Sequence, residues 1–243
     1  MAADLAGKLP PVPRDVDTVI ITVAADAHNP AAYRSAYVEG LANVLDALER
    51  DGVSPRRVFF ASSTAVYGDA GGGIVDESTP EAPGHFSGEI LLEAEALLFR
   101  RFAGTATSAT VLRLGGIYGP GRTRLIDQVR SGRAVVPDRP RHTNRIHRDD
   151  AAAAIAHLAT MAAEPGAVYL GVDNEPAELG EVLRFLANEL GLPEPATGPI
   201  APARGGDKRC SSAALQATGF RFTFPSYREG YRAVLAGTGT RHP

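Results

Sequence analysis

Short apolar runs and longer amphipathic stretches alternate along the chain from residue 17 to residue 191. Continuous apolar runs rich in β-branched residues are typical of strands buried on both faces of a parallel sheet. Stretches in which apolar residues recur every three or four positions predict helices packed on that sheet. The pattern predicts strands over 17–25, 54–63, 108–116 and 166–172, and helices over 33–50, 88–102, 124–132, 148–164 and 177–191.

This alternation of strands and helices predicts an α/β fold with a mostly parallel sheet and right-handed crossovers. In such folds ligands bind outside the carboxyl ends of the strands. The segments at those ends are therefore the first candidates for a ligand site. They are Ala24–Asn29, Ser62–Gly68 and Gly115–Arg122.

Composition and charge narrow the possible functions. The 243 residues are 44% hydrophobic and 22% charged, which is ordinary for a soluble globular domain. The net charge of -3 gives no electrostatic reason to expect a nucleic-acid partner. Arginines do crowd residues 122–148, where they would suit a phosphate or carboxylate or simply face water. The single cysteine, Cys210, allows no internal disulfide, and the six histidines lack metal-binding spacing, so we expect no metal.

The sequence shows no targeting pattern. The first residues, MAADLAGKLPPVP, lack the apolar core of a signal peptide. No apolar run approaches the roughly 18–20 residues that a membrane-spanning helix needs. We therefore expect a cytoplasmic protein without a membrane partner.

Four segments stand out by their order and spacing: SSTAVYG (62–68), VDESTPEAP (75–83), VLRLGGIYGPGR (111–122) and NRIHRDDAAAAI (144–155). They resemble the extended short-chain dehydrogenases of the NAD-dependent sugar epimerase/dehydratase group. Two further segments, FSGEILLEAEALL (86–98) and GDKRCSSAALQATGF (206–220), are similar to an atypical bacterial branch of that group. The resemblance implies a Rossmann-like, doubly wound parallel sheet in a single domain over 1–243, with a small substrate-side lobe mainly from 117–147 and 173–243. It also implies NAD or NADP as cofactor and a small molecule as substrate.

The chain departs from the family pattern at its start. The family opens with a strand, a glycine-rich turn and a helix whose N-terminus holds the cofactor pyrophosphate. Here the pair Asp4–Leu5 resembles the family's acidic–apolar pair near the adenine, which implies an N-terminally truncated sheet without that opening. The resemblance places five residues on the cofactor side, namely Asp4, Leu5, Ala24, Ala25 and Ser62.

A second departure concerns catalysis. Where the family has a tyrosine acid and, four residues later, a lysine, this chain has Phe86 and Ile90, and neither can transfer a proton. Ser63 matches the family's third catalytic hydroxyl. The other candidate acids or bases are Tyr67, Glu89 and His147. Each has a structural alternative: a turn cap for Ser63, the core for Tyr67, a solvated first helical turn for Glu89 and a loop anchor for His147.

Polar and glycine residues in the later segments match the family's substrate side. Arg122 or Arg145 would fork a phosphate or carboxylate, or pair with a nearby acid such as Asp149. The predicted substrate-binding residues are Thr64, Gly116, Tyr118, Arg122, Asn144, Arg145, Lys208 and Arg209.

The truncated sheet has a consequence for assembly. The strand over 17–25 becomes an edge, and an exposed apolar edge favours aggregation unless it is covered. A second copy, a partner, the first 16 residues or a longer chain would each cover it. Because the family usually dimerises through helices equivalent to 33–50 and 88–102, we expect a homodimer.

Four functions stay open at this point. The favoured one is an NAD(P)-dependent epimerase, dehydratase or reductase that acts on a small polar or anionic substrate without Tyr–Lys catalysis. The second is a cofactor-independent isomerase, lyase or cyclase on the same frame. The third is a non-catalytic module that binds a regulatory ligand, and the fourth is an inert remnant of a longer gene. A fold alone does not choose between them.

Overall fold

Strands and helices alternate as the sequence predicts. The computed structural model describes residues 4–200 and 205–237. The strands are β1 (Thr18–Ile21), β2 (Arg57–Ser63), β3 (Ile74–Val75), β4 (Ser108–Leu114), β5 (Gly116–Tyr118), β6 (Val136–Pro137), β7 (His142–Thr143), β8 (Arg145–His147), β9 (Val168–Gly171), β10 (Ala177–Glu178), β11 (Thr197–Gly198) and β12 (Arg209–Cys210). The helices are α1 (Pro30–Tyr33), α2 (Gly40–Arg50), α3 (Phe86–Phe102), α4 (Arg124–Arg130), α5 (Arg148–Thr160), α6 (Leu179–Glu189), α7 (Ala213–Ala217) and α8 (Tyr227–Leu235).

The central sheet has four parallel strands in the order β1-β2-β4-β9. Its register pairs Ser63 with Leu114, and Leu114 with Gly171. Three strands therefore end at the same edge of the sheet, which gathers the chain segments that follow them. The Rossmann-like α/β prediction is confirmed by this parallel sheet with helices on both faces.

Side chains of β2 show how the sheet is covered on both faces. Val58 and Phe60 pack with α2 and α3 in one core cluster, whereas Phe59 packs with α5 in another. A strand buried on both faces needs apolar residues at successive positions, which is why its sequence, RVFFASS, does not alternate with polar residues.

The first helical segment begins three residues earlier than predicted. The Asn29 side chain accepts a hydrogen bond from the Ala32 amide and caps α1, and Pro30 occupies the first helical turn, where its missing N–H costs nothing. Between α1 and α2 the residues Arg34–Glu39 form a π-helical turn. The N-terminal segment lies along α2, where Asn43 Nδ2 donates to the Leu5 carbonyl and Arg50 to that of Leu9.

A third cluster of apolar side chains lies among α4, α6 and α8 and includes Ile126, Leu186 and Tyr231. These helices belong to the segments that the sequence assigns to a substrate-side lobe. Seven short strands, β5 to β8 and β10 to β12, tie this cluster and the sheet together. Three of them lie in 133–147, where the sequence predicts irregular backbone with at most one short strand.

One edge of the central sheet is uncovered among the described residues. β1 pairs only with β2, and Ile20 is 47% exposed. Ion pairs join the two helical segments predicted to form a dimer interface. Arg34, in the π-helical turn before α2, pairs with Glu93 on α3, and Arg101 on α3 pairs with Asp46 on α2. The homodimer stays a prediction.

A buried ionic network joins α3 to the carboxyl ends of β2 and β4. Arg113 on β4 and Glu95 on α3 are each 3% exposed, and the guanidinium donates to both carboxylate oxygens. Arg113 also donates to the Tyr67 hydroxyl and to Glu81, and the Ser62 hydroxyl donates to Glu95. Each charge in the network has a partner of opposite charge. Removal of one member therefore leaves the remaining charge buried in a largely apolar environment without full compensation.

We expect the substitution Glu95→Ala to lower the free energy of unfolding by about 3–5 kcal/mol, because it leaves the Arg113 guanidinium buried with only Glu81 as counter-charge. The matched control is Glu93→Ala on the same helix, which breaks the exposed pair with Arg34 and should cost less than about 1 kcal/mol. Urea unfolding of both variants measures the difference. Equal losses in the two variants would contradict a structural role for the network.

Candidate functional site

A cavity of about 750 Å³ opens at the carboxyl ends of β2 and β4, between the sheet and the cluster of α4, α6 and α8. It lies at the sheet edge where ligands bind in α/β folds. Eight of the predicted site residues line it. They are Ser63, Thr64, Gly116, Tyr118, Arg122, Asn144, Arg145 and Lys208.

The sheet side of the cavity is formed by two strand ends. The Ser63 hydroxyl oxygen accepts a hydrogen bond from the Ala65 amide, 3.2 Å away, and so starts a 3₁₀ turn over Thr64–Tyr67. This bond uses the oxygen as an acceptor, so the hydroxyl hydrogen of the half-buried side chain is available to a ligand. At the end of β4, a Cβ on Gly115 would lie 2.9 Å from the Asn144 carbonyl oxygen, and only glycine fits that contact.

The charge of the cavity is one-sided. The described residues that line it include five arginines and one lysine but no carboxylate. Burial lowers the pKa of Arg141; the charge of Asp207 acts in the opposite direction, and that of Arg124 adds to the lowering. Such a cavity favours an anionic ligand, because its cations repel one another until a counter-charge arrives. The cations are Arg122, Arg124, Arg133, Arg141, Arg145 and Lys208.

Arg145 has a carboxyl group behind it. Asp173 follows β9, is 2% exposed and accepts a hydrogen bond from the Glu175 amide. Burial raises the pKa of Asp173 to about 7, although the charge of Arg145 acts in the opposite direction. Near neutral pH this carboxyl therefore balances only part of the Arg145 charge, which leaves the cavity cationic.

Asn144 lines the cavity, but its amide group is engaged with the chain. Its Nδ2 donates to the Lys208 carbonyl, and its Oδ1 accepts from the Cys210 amide, 2.7 Å away. These two bonds hold residues 208–210 against β8. At Gly206, where φ is +68°, a Cβ would lie 2.2 Å from the Cα of Asp69, so two backbone segments touch at this wall.

Two predicted catalytic residues lie in the protein interior rather than at the cavity. The Tyr67 hydroxyl is bound to Arg113, 2.6 Å away, and burial raises the Tyr67 pKa to about 12. The His147 ring is 1% exposed, caps α5 by accepting from the Asp149 amide and stacks on Phe224. Burial lowers the His147 pKa, which keeps the ring neutral at physiological pH. For both, the structural alternative considered above fits the geometry.

The remaining predicted residues also lie outside the cavity lining. Glu89 is exposed in the first turn of α3, and the Arg209 guanidinium donates to the Gly72 carbonyl. Tyr118, by contrast, lies in the lining, where it stacks on Tyr231 with ring centroids 4.4 Å apart. Burial raises the Tyr118 pKa, so its hydroxyl stays protonated.

Only some of the residues predicted to face a cofactor are placed where a dinucleotide could reach them. Ala24 and Ala25 follow β1 beside the sheet edge, whereas the Ser62 hydroxyl is bound to buried Glu95. Asp4 caps its own turn by accepting from the Ala6 amide, and Leu5 packs near Gly40 on α2. Residues 22–29 lead from β1 into α1 without a glycine.

The position of the family's tyrosine is occupied by aromatic side chains. Phe86 lies within 5.0 Å of His28 and 4.3 Å of His85, measured between ring centroids, and Tyr33 meets it edge-on. Ile90 is 5% exposed. These rings pack on one another close to His28 and Tyr33, which follow β1, and the position carries no lysine.

Several cavity residues are absent from the sequence-based set. Arg124, Arg133 and Arg141 belong to the basic stretch 122–148. The sequence therefore indicates an arginine-rich region but not which of its arginines line the cavity. Tyr231 reaches the cavity from α8, far along the chain, and no local pattern marks it.

Within 4–200 and 205–237, no group of three or more His, Cys, Asp or Glu side chains is arranged to hold a metal ion. No helix in these ranges combines the length and the apolar composition that crossing a bilayer requires.

Comparison with known proteins gives the family. The profile of the NAD dependent epimerase/dehydratase family matches residues 12–171. Protein YeeZ of Escherichia coli K12 is 34% identical over 155 residues, which are 64% of this chain and 52% of YeeZ. A 3-diazoavenalumate denitrifying reductase of a Streptomyces species is 30% identical over 216 residues, 79% of this chain and 68% of the reductase. The chain thus spans about half the length of YeeZ.

Solved structures agree with this assignment. A protein of Methylobacillus flagellatus, described as an NAD-dependent epimerase/dehydratase, is 44% identical, with a TM-score of 0.72 over 85% of this chain and 72% of that one. The protein MoeE5, solved with UDP-glucuronic acid and NAD, is 25% identical, with a TM-score of 0.79 over 92% of this chain and 79% of that one. The parallel sheet, the segments matched and these likenesses lead to one conclusion: the chain belongs to the NAD dependent epimerase/dehydratase family.

Proposed function

We propose that this protein binds a small, multiply anionic substrate in the arginine-lined cavity and transforms it in an NAD(P)-linked reaction that does not use a Tyr–Lys pair. The observation that carries the proposal is the charge of the cavity, whose described lining has five arginines and one lysine and no acid. A guanidinium binds carboxylates and phosphates through two parallel hydrogen bonds. Five of them in one cavity suit a ligand with more than one anionic group.

The cavity divides into two walls with different tasks. Arg124, Arg133 and Arg141 lie away from the sheet, near α4 and α6, and would hold the anionic groups of the substrate. Ser63 and Gly116 lie at the sheet ends, where a reacting carbon would be placed. Binding energy from remote anionic groups would thus orient the reacting part of the substrate against the Ser63 hydroxyl.

The redox part of the proposal rests on the family. The reductase relative and the NAD complex of MoeE5 support a nicotinamide dinucleotide as partner of this fold. When bound, such a cofactor supplies hydride transfer. In this chain Ala25, Ser63 and the Phe86 ring border the place beside β1 and β2 that a nicotinamide would take, and Phe86 would contribute stacking but no proton.

A second function, a cofactor-independent isomerase or lyase on the same cavity, is favoured by one observation. Phe86 and Ile90 occupy the positions of the family's tyrosine and lysine, so the proton transfer that the family couples to hydride transfer has no acid there. Acid–base chemistry by one or two positioned groups contributes about 10²–10⁴-fold without any cofactor.

Calorimetric titration of the 243-residue chain with NADH and NADPH separates these two functions. We expect saturable heat for one of them with a Kd below about 1 mM, the range of ordinary metabolite binding. A folded protein that gives no heat with either dinucleotide would overturn the redox part and leave the cofactor-independent reaction.

Anion binding in the cavity is tested with inorganic pyrophosphate as probe. The substitution Arg124→Ala should weaken binding about tenfold, because it removes a charge-assisted hydrogen bond from a partly exposed site. The matched control, Arg130→Ala, removes an exposed arginine from the same helix but outside the cavity lining and should leave the Kd unchanged. If both substitutions weaken binding equally, the effect comes from long-range charge and not from a contact in the cavity. If the wild type does not bind pyrophosphate, the anionic-substrate proposal is wrong.

A further inference from the structure

The chain has only two lysines among its 25 basic residues, Lys8 and Lys208. Every other permanent cation is an arginine, whose guanidinium does not lose its proton in proteins. Lys8 lies exposed in the N-terminal segment, whereas Lys208 is 3% exposed and lines the cavity. The only lysine inside this protein therefore stands at the ligand site, among arginines that would supply charge equally well.

Backbone carbonyls, rather than a carboxylate, hold the Lys208 side chain. Its Nζ donates to the Gly68 carbonyl, 2.9 Å away, and to the Gly205 carbonyl. Among the described residues no carboxylate comes within ion-pair distance of it. An ammonium group has three N–H donors, so these two bonds leave one for a ligand in the cavity.

The amine lies beside the turn that starts at Ser63. A methyl group placed on Gly205 would be 3.0 Å from Nζ and 3.7 Å from the Cα of Ala65. Gly68, which accepts from Nζ, directly follows the 3₁₀ turn Thr64–Tyr67. Lys208 and Ser63 both line the cavity, and the turn that carries Ser63 and Ala65 lies beside the Lys208 amine, so an N–H and an O–H are available on the same wall.

The surroundings of Lys208 make proton loss easier. Burial is the largest influence and lowers the pKa of Lys208. Cys210, Asp69 and Asp207 act in the opposite direction, and Asp207 is itself bonded to His142 on β7. Burial also raises the pKa of Cys210 to about 11, so the thiol is neutral at physiological pH.

We propose that Lys208 is the proton-carrying group of this cavity: its Nζ donates a proton to an oxygen atom of a bound anionic substrate and takes it back in the reverse direction. One N–H bond breaks and one O–H bond forms, and the amine left behind is neutral and regains its proton from water. Ser63 is the hydroxyl that positions the same oxygen. The inference rests on the proposed anionic-substrate cavity, but it holds for a redox and for a non-redox reaction alike.

The presence of only two lysines makes a direct test possible. Protein grown with lysine labelled with ¹³C at Cε gives two signals, which the substitution Lys8→Arg assigns. We expect the Cε signal of Lys208 to titrate at a pH below the ordinary value of about 10.4 for a lysine, because burial disfavours the charged form. Titration of the Lys208 signal at or above that ordinary value would overturn the proposal without bearing on the cavity's affinity for anions.

Pyridoxal 5′-phosphate, an anionic aldehyde that forms an imine with neutral amines, provides the second test. After borohydride reduction, peptide mass spectrometry should find Lys208 modified about tenfold faster than Lys8 at pH 7.5 for each unit by which its pKa is lower, because the neutral fraction rises by that factor. The Lys208→Arg variant should carry no adduct on residue 208. Preferential modification of Lys8 would contradict a reactive amine in the cavity.

Pyrophosphate binding separates proton transfer from a merely structural role. In the wild type, the affinity should fall about tenfold as the pH rises through the Lys208 titration, since the ammonium becomes neutral. In the folded Lys208→Arg variant, whose charge does not titrate, this pH dependence should disappear, whereas Lys8→Arg should keep it. If Lys208→Arg keeps the wild-type pH profile, the proposal fails even though anion binding stands. If Lys208→Arg does not fold, the ¹³C titration of the wild type decides alone.

Discussion

The buried bond between Arg113 and Glu95 fixes the place where the sheet, α3 and the cavity meet. Arg113 lies near the end of β4, and Glu95 lies about two turns into α3. The hydroxyl of Ser62, near the end of β2, donates a hydrogen bond to the same carboxylate. Two opposite charges in a protein interior tolerate little displacement, because each would otherwise face a low dielectric alone. The backbone of Ser63 therefore sits beside a rigid group, which makes its hydroxyl a fixed reference for any ligand in the cavity. Tyr67 belongs to this rigid group and not to the reacting surface.

Much of this fold was predictable from the sequence because the signals are local. The apolar run VFFA in β2 and the recurring leucines in α3 each determine their own element. The cavity residues near strand ends, such as Ser63 and Gly116, were predictable for the same reason, since parallel strands end together.

The parts that escaped prediction depend on distant partners. The Tyr67 hydroxyl binds a guanidinium 46 positions away, and no pattern around residue 67 announces this bond. The sequence makes His147 a candidate acid or base, but its ring is packed against Phe224, which lies far along the chain. Tyr231 enters the cavity only because α8 packs on the cluster around Ile126. Side-chain roles at such positions are decided by tertiary contacts rather than by local sequence.

The wall that carries Lys208 has a consequence for sequence variation. At Gly206 a single added carbon would overlap the backbone of Asp69, and at Gly115 it would press on the Asn144 carbonyl. Neither glycine lies in an apolar core, so hydrophobicity would class both as replaceable surface positions. Substitutions are nevertheless restricted at both positions, because even alanine would displace the neighbouring backbone and disrupt the cavity wall. Homologues of this protein should therefore tolerate replacement of the arginines around the cavity better than replacement of Gly115 or Gly206.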